Sequence, residues 1–226
     1  MTCGLLGLLM TSSAVVQARP PAEQRWAVGV PDRIGVGVDL GFAKRLDEPS
    51  SYVLDEPYGA TVGAGVEAPL GDRLALGLRY EFRALGGERS PVFATGIADV
   101  TRRAHAMWLA MRMVPFRGEL VGVFLGVRVA PVWQSASLVA STWEPIDPGR
   151  AAAVSCSGGD TAGVALGAEF GAEARVSSSV RVVTAAGFTS MGLSDDVLNG
   201  CVPGAGSVLS AGMRTGFVFD IDFAHE

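Results

Sequence analysis

The stretch Leu74-Ala75-Leu76-Gly77-Leu78-Arg79-Tyr80-Glu81-Phe82-Arg83 alternates without an error. Leu74, Leu76, Leu78, Tyr80 and Phe82 fall on one side; Ala75, Gly77, Arg79, Glu81 and Arg83 fall on the other. Successive side chains of a β-strand point to opposite faces, so this segment is a strand with one apolar wall and one charged wall.

Working outward, seven more segments carry the same alternation. Before it come Ile34–Lys44, with Ile34, Val36, Val38, Leu40 and Phe42 against Gly35, Gly37, Asp39 and Gly41, and Tyr58–Pro69, with Val62, Ala64 and Val66 against Gly63, Gly65 and Glu67. After it, Arg102–Pro115 sets Met107, Leu109, Met111 and Met113 against Ala106, Trp108, Ala110 and Arg112. The fifth segment sets Val121, Val123, Leu125, Val127 and Val129 against Gly122, Phe124, Gly126 and Arg128. Thr161–Val176 opposes Val164, Leu166 and Phe170 to Gly167, Glu169, Glu173 and Arg175. The seventh has Val180, Val182 and Phe188 against Arg181, Gly187 and Thr189; the eighth, Ser207–Phe223, has Leu209, Met213, Phe217, Phe219 and Ile221 against Arg214, Gly216 and Asp220.

The connections alternate in length. Gly71-Asp72, Arg117-Gly118 and Ser177-Ser178-Ser179 make tight turns. Long segments fall at about 45–57, 86–101, 138–160 and 192–206. The expected fold is therefore all-β: an up-and-down antiparallel transmembrane β-barrel of eight strands, with three short periplasmic turns and four longer outer loops. An even strand count puts both termini on the periplasmic side.

A magnitude decides which wall meets lipid. An arginine or lysine at the midplane of such a barrel costs about 2–4 kcal/mol on the lipid face. Asp39, Glu67, Arg79, Glu81, Arg112, Arg128, Glu169, Glu173, Arg175, Arg181, Arg214 and Asp220 share the charged walls. Turning them all outward exceeds a typical net stability of about 5–15 kcal/mol, so these twelve are expected to face the lumen and pair there. Lys44, Arg103 and Glu119 share the apolar parity but sit at strand ends. Phe42, Tyr58, Phe82 and Trp133 lie toward the outer ends of their strands, and Phe219 and Phe223 toward the inner end, as an interfacial aromatic belt requires. The soluble alternative, a lipocalin-like barrel with the apolar wall inside, leaves a surface largely of glycine and alanine with isolated charges and one lysine at most, a poor solvated face.

Composition agrees. The chain has 226 residues, 30 of them glycine, and is only 18% charged, against about a quarter in soluble domains. No long apolar run after the N-terminus suits a transmembrane helix. A net charge of −5 provides no basic field for nucleic acid. Leu5-Leu6-Gly7-Leu8-Leu9-Met10 followed by Val16-Gln17-Ala18 is expected to be a signal peptide cleaved after Ala18, leaving 19–32 as a periplasmic segment and 33–223 as the barrel. That leaves Cys156 and Cys201. A disulfide is the first reading in an exported chain; two free thiols or a metal site are the alternatives, and metal lacks ligands because His105 and His225 have no suitable spacing. No metal and no cofactor is expected. The acidic echo Leu46-Asp47-Glu48-Pro49 and Leu54-Asp55-Glu56-Pro57 is a solvated loop before it is a Ca²⁺ site.

With this pattern the chain resembles the small eight-stranded outer-membrane barrels of the OmpA/OmpX type, over roughly Arg33–Phe223. Phe217-Val218-Phe219-Asp220-Ile221-Asp222-Phe223 is similar to the aromatic strand read by barrel-assembly machinery, here followed by Ala224-His225-Glu226. The resemblance implies the outer membrane of a Gram-negative bacterium, with lipids and lipopolysaccharide as surroundings. The expected function is structural or surface-interacting through the outer loops, without catalysis. The alternative is a narrow porin-like channel or lumen-binding protein lined by Arg and Glu. A lipid-modifying hydrolase is the remote alternative: His105 lies on the outer wall, but its same-face neighbour is Met107, where a nucleophilic hydroxyl is wanted.

Overall fold

A computed structural model describes residues 33–48, 56–92, 96–142, 152–200 and 202–223. The expected signal peptide, the segment 19–32, Pro49, Leu54 and Asp55 of the acidic echo, Cys201 and the tail 224–226 lie outside these residues. Eight antiparallel strands close into a barrel: β1 (Arg33–Arg45), β2 (Tyr58–Pro69), β3 (Leu74–Val92), β4 (Gly96–Arg117), β5 (Val121–Thr142), β6 (Ala152–Arg175), β7 (Val180–Gly192) and, after a small hairpin of β8 (Val197–Leu198) and β9 (Val202–Pro203), β10 (Val208–Asp222). Sequence neighbours pair in space and β10 closes onto β1, from Arg33↔Asp222 to Arg45↔Ser210. Closure leaves no unpaired strand edge in hydrocarbon.

Parity is as the alternation demands. Leu40, Leu78, Leu109, Val127, Leu166 and Phe217 are exposed on the outer wall, while Trp108 and Phe124 are fully buried inside. Between the bracketing charges Arg33 and Lys44, β1 rises about 36 Å at roughly 3.3 Å per residue. A tilt of about 40° turns that into about 28 Å of height, close to the apolar band of such barrels. The inner turns are short and closed by Leu70 N–H donating to Leu74 O (2.8 Å), Gly118 N–H to Val121 O (2.8 Å) and Val176 N–H to Val180 O (2.9 Å). Gly71 (φ 84°) supplies the left-handed residue of the first.

Two outer loops differ from expectation. The segments 86–101 and 138–160, read as loops, are largely strand. β3 to β6 run for 19, 22, 22 and 24 residues, about twice the 9–11 needed to span a bilayer. Their outer halves form a four-stranded sheet beyond the membrane, with register shifts at Ala84/Gly87 and Gln134/Ser135. Outside lipid, nothing requires an apolar outer face, so the alternation that marks the spanning parts lapses there. The fourth loop also folds. Asn199 (φ 48°) and Gly200 (φ 69°) make the turn of the β8–β9 hairpin, and Leu198 and Val202 pack with Val100 and Ala136 on the inner face of the projecting sheet. Leu193, Ala205 and Val208 join Leu85, Trp108, Val132 and Met191 in an apolar cluster that fills the outer half of the lumen.

Lumenal glycines make room for large side chains. A Cβ on Gly171 meets the Phe124 ring at 2.5 Å and collides with the Thr184 carbonyl oxygen, whereas one on Gly87 meets nothing closer than 3.9 Å. Gly171→Val is expected to lose about 1–3 kcal/mol through overpacking, seen as a lower urea midpoint of the folded, heat-modifiable band on gels. Gly87→Val leaves that midpoint unchanged.

Candidate functional site

Below the apolar plug the lumen is ionic, in two connected groups. The middle group centres on Glu81, buried on β3. It accepts from Arg83 (2.7 Å) and Arg128 (3.1 Å), with Arg79 at 3.4 Å. Arg79 also pairs with Asp39, and Arg214 bridges Asp39 (3.4 Å) to Glu169 (2.9 Å). Arg83 donates to Ser210 Oγ (2.7 Å) and Arg128 to Thr189 Oγ1 (2.9 Å), so four strands beside β3 are tied to it. Arg128 stacks 4.3 Å from the Trp108 ring centroid.

The inner group centres on Arg181 of β7. It grips both Asp220 oxygens (2.9 and 2.7 Å) and reaches Glu67 (2.7 Å) and Glu173 (2.8 Å). Arg112 adds bonds to Glu67 (2.9 Å) and Glu173 (3.5 Å) and stacks on Phe124 at 4.6 Å. Below it a vestibule of about 980 Å³ opens toward the short turns.

Eleven of the twelve lumen candidates lie in these groups. Arg175 does not: it ends β6, is exposed, and makes no ion pair among the described residues. It has inward parity, but the turn beside it is wet and needs no partner. The candidate set omitted Arg83, whose parity was correct. It also omitted Arg45, Arg102 and Gln134, which hold the plug. Arg45 donates to Asp47 (2.9 Å) and to the carbonyls of Ala205 (3.1 Å) and Ser207 (2.9 Å). Arg102 binds Glu88 (3.0 Å) and the Pro203 carbonyl (3.1 Å). Gln134 donates to Ser194 O (2.8 Å) and accepts from Ala205 N–H (2.8 Å). All three lie on the inward side, a signal that alternation carries; which loop they hold is not local information.

On the outer wall, the Tyr80 hydroxyl lies 2.6 Å from His105 Nδ1, and Phe82 meets the same imidazole edge-on at 5.3 Å. His105 thus has a hydroxyl neighbour from the adjacent strand rather than from its own, and Trp133 lies opposite it on β5. The row is an aromatic belt with a hydrogen-bonded imidazole. Cys156 lies on β6 opposite Leu138, and Cys201 lies outside the described residues. Among the described residues no group of three metal-ligating side chains converges.

No family model and no curated protein matches the chain. Solved structures do. Neisserial surface protein A superposes with a TM-score of 0.52 at 14% identity, over 84% of this chain and 97% of its own.

This is the fold of the small eight-stranded outer-membrane β-barrels.

The barrel also matches Ail of Yersinia pestis, in a complex with the heparin analogue sucrose octasulfate, at TM-score 0.49 and 11% identity over 85% of this chain and 100% of that one. OprG from Pseudomonas aeruginosa gives 0.42 at 10% identity, over 85% and 97%. Similarity this remote speaks for the architecture alone.

Buried ion pairs are near neutral when complete and costly when broken. Arg181→Met leaves the buried Asp220 without its partner, takes one of two arginines from Glu67 and weakens the hold on Glu173, and is expected to lose about 3–5 kcal/mol. Arg33→Ala breaks only the exposed pair with Asp222 (3.1 Å) and is expected to cost about 0–1 kcal/mol. Urea unfolding in lipid vesicles distinguishes the two.

Proposed function

We propose that this barrel sits in the outer membrane of a Gram-negative bacterium and acts there as a structural or surface-interaction protein, without catalysis. The observation that carries the reading is the projecting sheet of β3 to β6 combined with a filled lumen. Nearly half of those four strands stands beyond the bilayer, and the outer lumen is closed by buried Trp108, Val132, Met191 and Val208. The outer face of the projection offers small polar groups, Thr101, Ser135, Ser137 and Ser157, around Arg103, with a surface hollow of about 360 Å³ between them. That face suits lipopolysaccharide headgroups or a partner on another surface. On the outer wall Tyr80 and His105 form a hydrogen-bonded pair with Phe82 edge-on to the imidazole, an interfacial aromatic arrangement that suits a structural role.

Export through residues 1–18 and insertion through Phe217–Phe223 belong to the same proposal. So does a Cys156–Cys201 disulfide. It draws support from the β8–β9 hairpin, which presses Leu198 against Gly158 of β6, where a Cβ finds Leu198 Cβ at 2.9 Å. This bridge staples the plug to the projecting sheet. A non-reducing gel shift lost in Cys201→Ser is the expected result; labelling of both cysteines as free thiols on intact cells contradicts the bridge.

Planar-bilayer recording tests the main reading. The account expects no discrete openings from the wild-type barrel. Steady openings that Arg128→Ala alters assign it instead to the narrow-channel class.

A further inference from the structure

We propose that the middle of the lumen binds a single monovalent anion of halide size, held by Arg79, Arg112 and Arg214. Three observations meet at one place. A cavity of about 80 Å³ lies between the two ionic groups, lined by those arginines, by Asp39, Glu67 and Glu169, and by the bare backbone of Gly37 and Gly77. About 10–15 Å³ on this measure already holds a water, so an ion with a water beside it fits.

The second observation concerns donors. Arg79 Nε and Nη1, Arg112 Nε and Arg214 Nε are buried and have no partner among the described protein atoms. Among the described residues no carboxylate oxygen shares that condition. Each unmet buried donor costs about 1–3 kcal/mol, more when charged, and an acceptor at this point removes several such costs together.

The third is charge. Around the cavity three guanidinium groups, on Arg79, Arg112 and Arg214, face three carboxylates, on Asp39, Glu67 and Glu169. The carboxylates lining the cavity are already engaged: Asp39 by Arg79 and Arg214, Glu169 by Arg214, Glu67 by Arg112 and Arg181. Their presence disfavours a divalent or bulky anion, and because the buried unmet polar atoms of the lining are all guanidinium N–H donors, the guest the cavity recruits is an acceptor.

Bromide tests the site. In crystals of the folded barrel grown with bromide, an anomalous peak is expected in the cavity, within hydrogen-bond distance of at least two of the three guanidinium groups. In vesicles, replacing gluconate by bromide at constant ionic strength is expected to raise the unfolding midpoint in a saturable way. Arg214→Gln is expected to abolish that rise. Gly77→Val narrows the cavity from the opposite wall without touching an arginine; its Cβ meets nothing closer than 3.2 Å, and it keeps the test available should Arg214→Gln fail to fold. Density for water alone overturns the proposal. So does a bromide peak with no halide-dependent midpoint, which marks an adventitious ion only, or a halide response that survives in Gly77→Val.

Discussion

Hydrocarbon can solvate neither a charge nor an unpaired backbone group, and the architecture follows from that. The unpaired edges vanish because β10 returns to β1. The charges vanish from the lipid-facing wall because a period of two lets the arginines and carboxylates of the spanning segments take the side opposite Leu, Val and Phe. The same constraint then creates a second problem. An eight-stranded barrel encloses barely enough volume for side chains, and ionic side chains are long. Glycine solves it. Gly63 and Gly167 lie directly against the guanidinium of Arg79 and the side chain of Arg128, and Gly171 faces the ring of Phe124. The high glycine content, odd for strands, is the volume left for charge.

Enclosure also shapes how the lumen is layered. Toward the short turns it is wet, and the Arg181 group can lean on solvent. In the middle, Glu81 collects three guanidinium groups in near-complete burial; Trp108 lies under Arg128 there, and Phe124 lies under Arg112 in the inner group. Toward the outside the lumen turns apolar, and the segment between β7 and β10 folds in to cover it. Arg45, Arg102 and Gln134 hold that cover through backbone carbonyls and one amide, so its attachment depends little on its own side chains.

The spanning half of the fold was legible because lipid enforces it residue by residue: the bounds of β1, β2, β7 and β10 and the inward side of Asp39 or Arg214 follow from alternation alone. Legibility ended with the lipid. Beyond Ala84 and Gln134 the register shifts, and small polar residues such as Ser135, Ser137 and Ser157 resemble a loop while forming a sheet. The segment 193–207, with Asp195, Asp196, Pro203 and three glycines, carries ordinary turn chemistry; that it enters the barrel depends on contacts with Leu85 and Val132, far away in sequence. Phe116 escaped the aromatic belt because the register shifts between Met113 and Phe116 and reverses its side. Which arginine meets which carboxylate depends on strand stagger around the closed barrel, a property no single strand contains.

The central claim is that the apolar wall touches lipid and the charged wall does not, and two tryptophans report on it directly. Trp133 stands on the outer wall and Trp108 inside, stacked on Arg128. With Trp26 and Trp143 replaced by phenylalanine, one protein carries Trp108→Phe and the other Trp133→Phe, both folded into vesicles of brominated lipid. The account predicts strong quenching of the fluorescence from Trp133 and almost none from Trp108. Quenching of Trp108 comparable to that of Trp133 contradicts it.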